Sequence, residues 1–116
     1  DIITFHSYGK PEDFEACIDE LAPMKRPILC TEWLARPEGS TIEGCLPIAK
    51  RRNVGMFNWG LVAGKTQTYL PWDSWDHPDQ APPAEWFSDL LRPDGRPYRD
   101  SEVRTIRSVT PLLRAN

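Results

Sequence analysis

Cysteine is scarce in this sequence, and no long apolar run occurs in it. The three cysteines, Cys17, Cys30 and Cys45, are odd in number and lack the spacing of zinc or redox sites. Because each lies within an apolar pattern, we predict buried, unpaired thiols. No stretch reaches the roughly 18 apolar residues that a transmembrane helix needs. We therefore expect no membrane partner.

An excess of positive charge is also missing. Lysine and arginine total 14 against 17 aspartates and glutamates, for a net charge of −3. A net negative charge disfavours binding to a phosphate backbone, so we expect no nucleic-acid partner. A hydrophobic fraction of 40% is typical of a soluble globular protein. No leader precedes the first apolar run, which follows Asp1 directly, and we expect the sequence to start partway through a larger protein.

Strands and helices alternate along the chain. Short apolar runs typical of buried strands cover 2–5, 27–31 and 54–57. A helix is predicted to start at Pro11 and to stop before Pro23. A second helix has Ser40 and Glu43 at capping-box spacing, with Pro47 kinking or restarting it. A last helix is predicted after a cap at Asp100 or Ser101, with one apolar face formed by Val103, Ile106, Val109 and Leu113.

Polar and aromatic residues stand where each predicted strand ends. His6, Glu32 and Trp59 lie 26 and 27 residues apart. Consecutive units of a (β/α)8 barrel, which has about 250 residues, give a similar period, and a doubly wound sheet does so too. Three parallel strands cannot close a barrel, so the fold would need further units. A small, oligomeric three-stranded α/β domain is the alternative.

The segment 61–83 follows no helical or strand period. Loops of this length are usually functional or disordered, and its tryptophans argue against disorder. Lys65 and Gln67 are candidate hydrogen-bond donors to a ligand, and Trp72 and Trp75 are candidate aromatic platforms. Its acidic residues and histidine do not have calcium-loop spacing, so we expect no metal there. These residues are Asp73, Asp76, His77 and Asp79.

Three segments in order carry a family resemblance. Residues 5–8 (FHSY), 27–33 (PILCTEW) and 58–60 (NWG) resemble strands six, seven and eight of clan A glycoside hydrolases. The closest similarity is to cellulase-like members related to family 5, and it covers nearly the whole chain. The resemblance implies an α/β fold in which residues 1–116 form the C-terminal part of a TIM (β/α)8 barrel, one fragment of a catalytic domain with a substrate-side loop at 61–83.

The resemblance also implies a reaction. It assigns Glu32 as the nucleophile of a retaining glycosidase acting on β-linked polysaccharides or oligosaccharides, and Tyr8 as the group that orients it. The acid/base glutamate belongs to strand four, outside this sequence, so residues 1–116 alone should be inactive. No cofactor is implied, the partners are a carbohydrate substrate and the remaining barrel units, and secretion or a periplasmic location is expected.

Six further residues are candidate substrate contacts. Trp59 resembles the tryptophan that forms the floor of the cleavage subsite, and His6 would contact sugar hydroxyls or the carboxylate network. Trp33 points away from Glu32, so it belongs either to the site wall or to the core. Trp72, Lys65 and Gln67 complete the set.

Two other functions fit the same fold. A catalytically silent carbohydrate-binding protein would use the tryptophans equally well. A metal-dependent barrel enzyme would need several His and Asp residues at strand ends, where His6 alone qualifies.

Overall fold

The computed structural model describes residues 1–110. Strands β1 (Ile3–Ser7), β2 (Ile28–Trp33) and β3 (Gly55–Met56) alternate with helices α1 (Pro11–Leu21) and α2 (Ile42–Arg52), and helix α3 (Asp100–Val109) follows the long loop. The three strands form a parallel sheet in the order β1-β2-β3. The α/β alternation predicted from the sequence is therefore confirmed. Leu113, part of the predicted apolar face of α3, lies outside the described residues.

Both connecting helices cover the same face of the sheet. Phe14 of α1 stacks on Phe5 of β1 with ring centroids 5.7 Å apart. Cys30 of β2 and Cys45 and Ile48 of α2 belong to one buried core cluster. Successive units of a barrel have this sequential strand order, and so does one half of a doubly wound sheet.

Helices α1 and α2 form where the sequence predicts them, but the residue that caps α2 differs from the predicted one. Pro11 is the first residue of α1, as predicted, and the helix ends before Pro23. For α2 the predicted Ser40 cap is wrong: the Thr41 hydroxyl accepts the Gly44 N–H at 3.2 Å. Ser40 is instead buried in the preceding turn. Pro47 lies inside α2 and does not restart it.

The start of α3 was also placed slightly too late. Arg99 occupies the N-cap position and makes no side-chain cap bond, while Asp100 begins the helix. Asp100 and Glu102 both lie in the first turn, where negative charge is favourable. The third strand is shorter than predicted, since it covers two residues rather than 54–57.

The cysteines divide between the core and the surface of the helical layer. Cys30 and Cys45 are buried, as predicted, whereas Cys17 on α1 is only partly buried. Burial raises the pKa of the Cys30 thiol to about 11. Within residues 1–110, no helix is both long and apolar enough to cross a membrane.

Candidate functional site

Glu32 lies at the C-terminal end of β2, on the sheet face that the helices leave uncovered. Its strand neighbour Trp33 points into the core on the opposite face. The register of the sheet explains this orientation. Phe5 pairs with Cys30 and His6 pairs with Glu32, so an irregularity between the two pairs leaves Thr31 unmatched. Such a bulge shifts the alternation of side chains by one residue, which places Glu32 beside His6.

Two side chains, one in β1 and one just after it, approach the same oxygen of Glu32. The Tyr8 hydroxyl donates to Glu32 Oε2 at 2.8 Å. His6 Nδ1 lies 3.2 Å from that atom. The predicted link between Tyr8 and Glu32 is therefore present in the structure, and His6 joins the carboxylate network.

The exposure of this cluster leaves room for a ligand. The Glu32 side chain is 26% exposed and the His6 side chain 53% exposed. Burial, and then the hydrogen bond to Glu32, raise the pKa of the Tyr8 hydroxyl well above its ordinary value of 10. Tyr8 thus remains a hydrogen-bond donor throughout the physiological pH range. Glu32 keeps a fixed position without being sealed from solvent.

Trp33 does not belong to this surface. Its side chain is buried in the hydrophobic core between the sheet and the helices. The substrate-binding role predicted for Trp33 is therefore wrong for the described structure, and its core alternative holds. The physical reason is the shift of alternation at Thr31, which turns Glu32 to the uncovered face and so turns the next residue, Trp33, toward the helices.

A cleft formed by the long loop lies beside the carboxylate cluster. It has a volume of about 200 Å³, and its lining includes Trp59, Trp72 and Gln67. The Trp72 ring meets the Tyr8 ring edge to face, with centroids 5.3 Å apart. Tyr8 thus contacts both the cleft and Glu32. Lys65 is exposed on the same loop but is not part of this lining.

The sequence did not assign a role to Asn58, and the structure gives it one. Its amide donates to the Ser88 carbonyl at 3.1 Å and to the Gly60 carbonyl. Gly60 has to be glycine here, because a Cβ atom would lie 2.5 Å from Asp89 Oδ1. Asn58 and Gly60 therefore tie the segment carrying Trp59 to residues 88–89.

Arg36 is the centre of a buried hydrogen-bond network that was not predicted from the sequence. Its guanidinium forms two bonds to Glu102 of α3, at 2.5 and 2.9 Å, and donates to the backbone carbonyls of Trp86, Phe87 and Asp89. The Arg36 side chain is 0% exposed and that of Glu102 is 2% exposed. Arg36 and Glu102 are 66 residues apart, so no local sequence pattern indicates that they pair.

A left-handed turn brings Arg36 into the interior. Leu34, with φ of 75°, adopts a conformation that costs a residue with a Cβ roughly 1–2 kcal/mol. Its N–H donates to Ser40 Oγ at 3.2 Å, and its carbonyl accepts from Ser88 Oγ at 2.6 Å. Both bonds are buried and hold the turn directly after Glu32 and Trp33. The segment 86–89 is thereby fixed to the strand that carries the carboxylate.

The burial of Asp89 should make the free energy of unfolding depend on pH. It is fully buried; Thr68 donates to its Oδ1 at 2.7 Å, and within the described residues its Oδ2 has no partner. Burial raises the pKa of Asp89 above its ordinary value of 3.8. The folded state therefore holds this proton more tightly than the unfolded state. The resulting stability is complete below the unfolded pKa and is lost as pH rises through the folded pKa.

We expect Asp89→Asn to remove that loss, since the amide keeps an acceptor for Thr68 but cannot ionise. The difference in unfolding free energy between Asp89→Asn and wild type, measured in urea from about pH 4 to about pH 7, should move in favour of the variant as pH rises. A difference that stays constant, or that moves the other way, would contradict the buried-acid assignment.

The acidic residues of the long loop do not form a metal-binding cluster in the described structure. Within residues 1–110, no group of three or more His, Cys, Asp and Glu side chains is arranged to hold a metal ion. Asp73, Asp76, His77 and Asp79 are all exposed. The chemistry of the described surface thus centres on one carboxylate, a tyrosine, a histidine and indole rings.

Comparison of the chain with protein-family models, with curated proteins and with solved structures found no match.

Proposed function

We propose that residues 1–116 form the C-terminal strand–helix units of a (β/α)8-barrel glycoside hydrolase, cellulase-like and of clan A, in which Glu32 is the nucleophile. The observation that carries the proposal is the position of Glu32. It lies at the carboxyl end of a parallel strand, with Tyr8 donating to its Oε2 and His6 Nδ1 beside that atom, on the face opposite the helices. Barrel enzymes assemble their active sites at this end of the strands.

The uncovered sheet face supports the barrel. Ile2, just before β1, and Phe57, just after β3, are 60% and 56% exposed. Leu29, between them on β2, is only partly buried. Parallel sheets normally have both faces covered, and exposed apolar side chains in such a row are costly. Five further strands would bury these residues as the interior of a closed barrel.

The reaction follows from the geometry of the carboxylate. Tyr8 donates to Oε2 and His6 lies beside it, which leaves Oε1 to attack the anomeric carbon of a sugar. A C–O bond forms to Oε1 while the glycosidic bond breaks. The leaving oxygen takes a proton from a second carboxylic acid, whose carboxyl group lies about 5–5.5 Å from that of Glu32. Water, activated by that same group, then releases the sugar from Glu32. The acid/base group would come from strand four of the barrel, so residues 1–116 alone should be inactive.

The cleft provides a surface for the sugar itself. The apolar face of a pyranose packs on an indole ring, while its hydroxyls bond to polar neighbours. Trp59 and Trp72 supply exposed rings, and Gln67 supplies an amide in the same lining. The substrate class that fits is a β-linked polysaccharide or oligosaccharide, and no cofactor takes part.

The same cleft also favours a second candidate, a carbohydrate-binding protein without catalysis. Exposed tryptophans serve binding as well as turnover, so hydrolysis has to be measured. The full-length polypeptide containing these residues should hydrolyse at least one of aryl β-glucoside, β-xyloside and β-mannoside, or soluble β-glucan, xylan and mannan. Binding of a polysaccharide with no release of reducing sugar would move the assignment to the binding protein.

Tyr8→Phe provides a prediction specific to the geometry of the nucleophile. The variant keeps the ring that contacts Trp72 but loses the donor to Glu32 Oε2. A hydrogen bond to a charged group contributes about 1.5–3 kcal/mol, so kcat should fall roughly 10- to 100-fold. Steady-state kinetics on the best substrate measures this. An unchanged kcat in a folded variant would remove Tyr8 from the mechanism.

A further inference from the structure

We infer that the long loop builds a second sugar-binding site around Trp75, and that this site takes a neutral polysaccharide chain extending away from Glu32. The inference deepens the proposed function and rests on it for the direction of the chain. It stands on a second cleft of about 260 Å³ that adjoins the first. Trp75, Gln67 and Ser74 line both clefts, so one ligand can occupy the two together.

Trp75 is the most exposed of the large hydrophobic residues in the described structure. Its relative exposure is 85%, whereas Trp59 and Trp72 are near 50%. It is held on a short 3-10 turn, Trp72–Trp75, which fixes its backbone while leaving the ring open to solvent. Packing the apolar face of a sugar on this ring would remove exposed indole surface from water, which is favourable.

Polar groups surround the ring in the pattern that sugars need. Gln67, His77 and Gln80 line the second cleft together with Ser74, and they offer both donors and acceptors for hydroxyl groups. Contacts between neighbouring side chains connect this cleft to the Glu32 carboxylate. Trp72 lines the first cleft and meets Tyr8, which bonds Glu32. A ligand lying along this path would cover Trp75 at one end and reach the nucleophile at the other.

The charge of the loop selects between classes of polysaccharide. Asp73, Asp76 and Asp79 flank Trp75 and are exposed, while Lys65 is the single lysine or arginine in the 61–83 loop. A polyuronate would bring further negative charge to this surface and would be repelled. A neutral chain of glucose, xylose or mannose units meets no such penalty. The two clefts together also favour long substrates over disaccharides.

The test uses the full-length polypeptide with Glu32→Gln, which prevents hydrolysis during titration. Calorimetry compares cellohexaose, xylohexaose and mannohexaose with the matching disaccharides and with a polygalacturonate hexamer. Adding Trp75→Ala should weaken the best hexasaccharide at least 10-fold and change disaccharide binding less than twofold. Met24→Ala is the control, since Met24 is also exposed and apolar but lies on the turn after α1.

The outcomes separate this inference from the proposed function. Trp75-dependent binding of a neutral hexasaccharide by a protein that hydrolyses nothing would retain the second site and reject the hydrolase. Hydrolysis that requires Glu32, with hexasaccharide binding unaffected by Trp75→Ala, would overturn the second site alone. Binding of the polyuronate as tightly as the neutral chains would also overturn it.

Discussion

Glu32→Gln should lower kcat on the preferred β-glycoside by roughly 10⁴-fold or more while leaving the fold intact. Losses of this size are found when the nucleophile of a covalent mechanism is removed. The amide is nearly isosteric with the carboxylate and can still accept from Tyr8. It cannot attack the anomeric carbon, however. Steady-state kinetics and circular dichroism on the same preparation measure the two halves of the prediction.

Glu43→Gln is the matched control for this variant. Glu43 is an exposed glutamate in the first turn of α2, on the helical side of the sheet. Its substitution makes the same chemical change at a position away from the carboxylate cluster, and kcat should remain near that of wild type. Equal activity of the Glu32→Gln variant and wild type would reject the nucleophile assignment.

The second large effect concerns stability and involves Arg36. We expect Arg36→Met to lower the free energy of unfolding by about 3–5 kcal/mol, because it leaves the buried Glu102 carboxylate without its partner. Three backbone carbonyls in the 86–89 segment lose a donor as well. Urea denaturation followed by tryptophan fluorescence measures the change.

A double variant separates the buried charge from the lost contacts. Arg36→Met combined with Glu102→Leu removes both charges and should recover part of the stability lost by either single substitution. Arg51→Met is the exposed control: its guanidinium pairs with Glu15 at the surface, and little measurable change is expected. A small effect of Arg36→Met would mean that the 86–89 segment is held mainly by other contacts.

The Arg36 network also has a consequence for the site. Phe87, whose carbonyl accepts from Arg36, meets the Trp72 ring at 5.3 Å. Ser88 contributes to the lining of the first cleft and accepts from Asn58. Residues buried on one side of the 86–89 segment thus support cleft-lining residues on the other. Destabilising this segment should weaken ligand binding even where no sugar contact is removed.

The sequence predicted the alternation of strands and helices because period and composition are local properties. Apolar runs ending at His6 and Glu32 indicated parallel strands with polar ends, and the pairing of His6 with Glu32 agrees with that interpretation. Pro11 marked the start of α1 for an equally local reason. The barrel, the reaction and the substrate remain predictions.

What the sequence could not provide depends on long-range pairing. The shift at Thr31, which buries Trp33, arises from the register between two strands and has no signature in either alone. The cap of α2 went to Thr41 because Ser40 was already bonded within the turn after β2. No prediction from the sequence singled out Arg36, since no residue near it in the sequence indicates a pairing with Glu102.

The most direct test of the central claim is to trap the covalent intermediate. A 2-deoxy-2-fluoro glycoside with an activated leaving group slows release of the sugar from the nucleophile, and mass spectrometry of peptides locates the attached sugar. We expect one fluoroglycosyl group on the peptide containing Glu32 and none on that peptide in the Glu32→Gln variant. A label on another carboxylate, or rapid hydrolysis with no label at all, would contradict it.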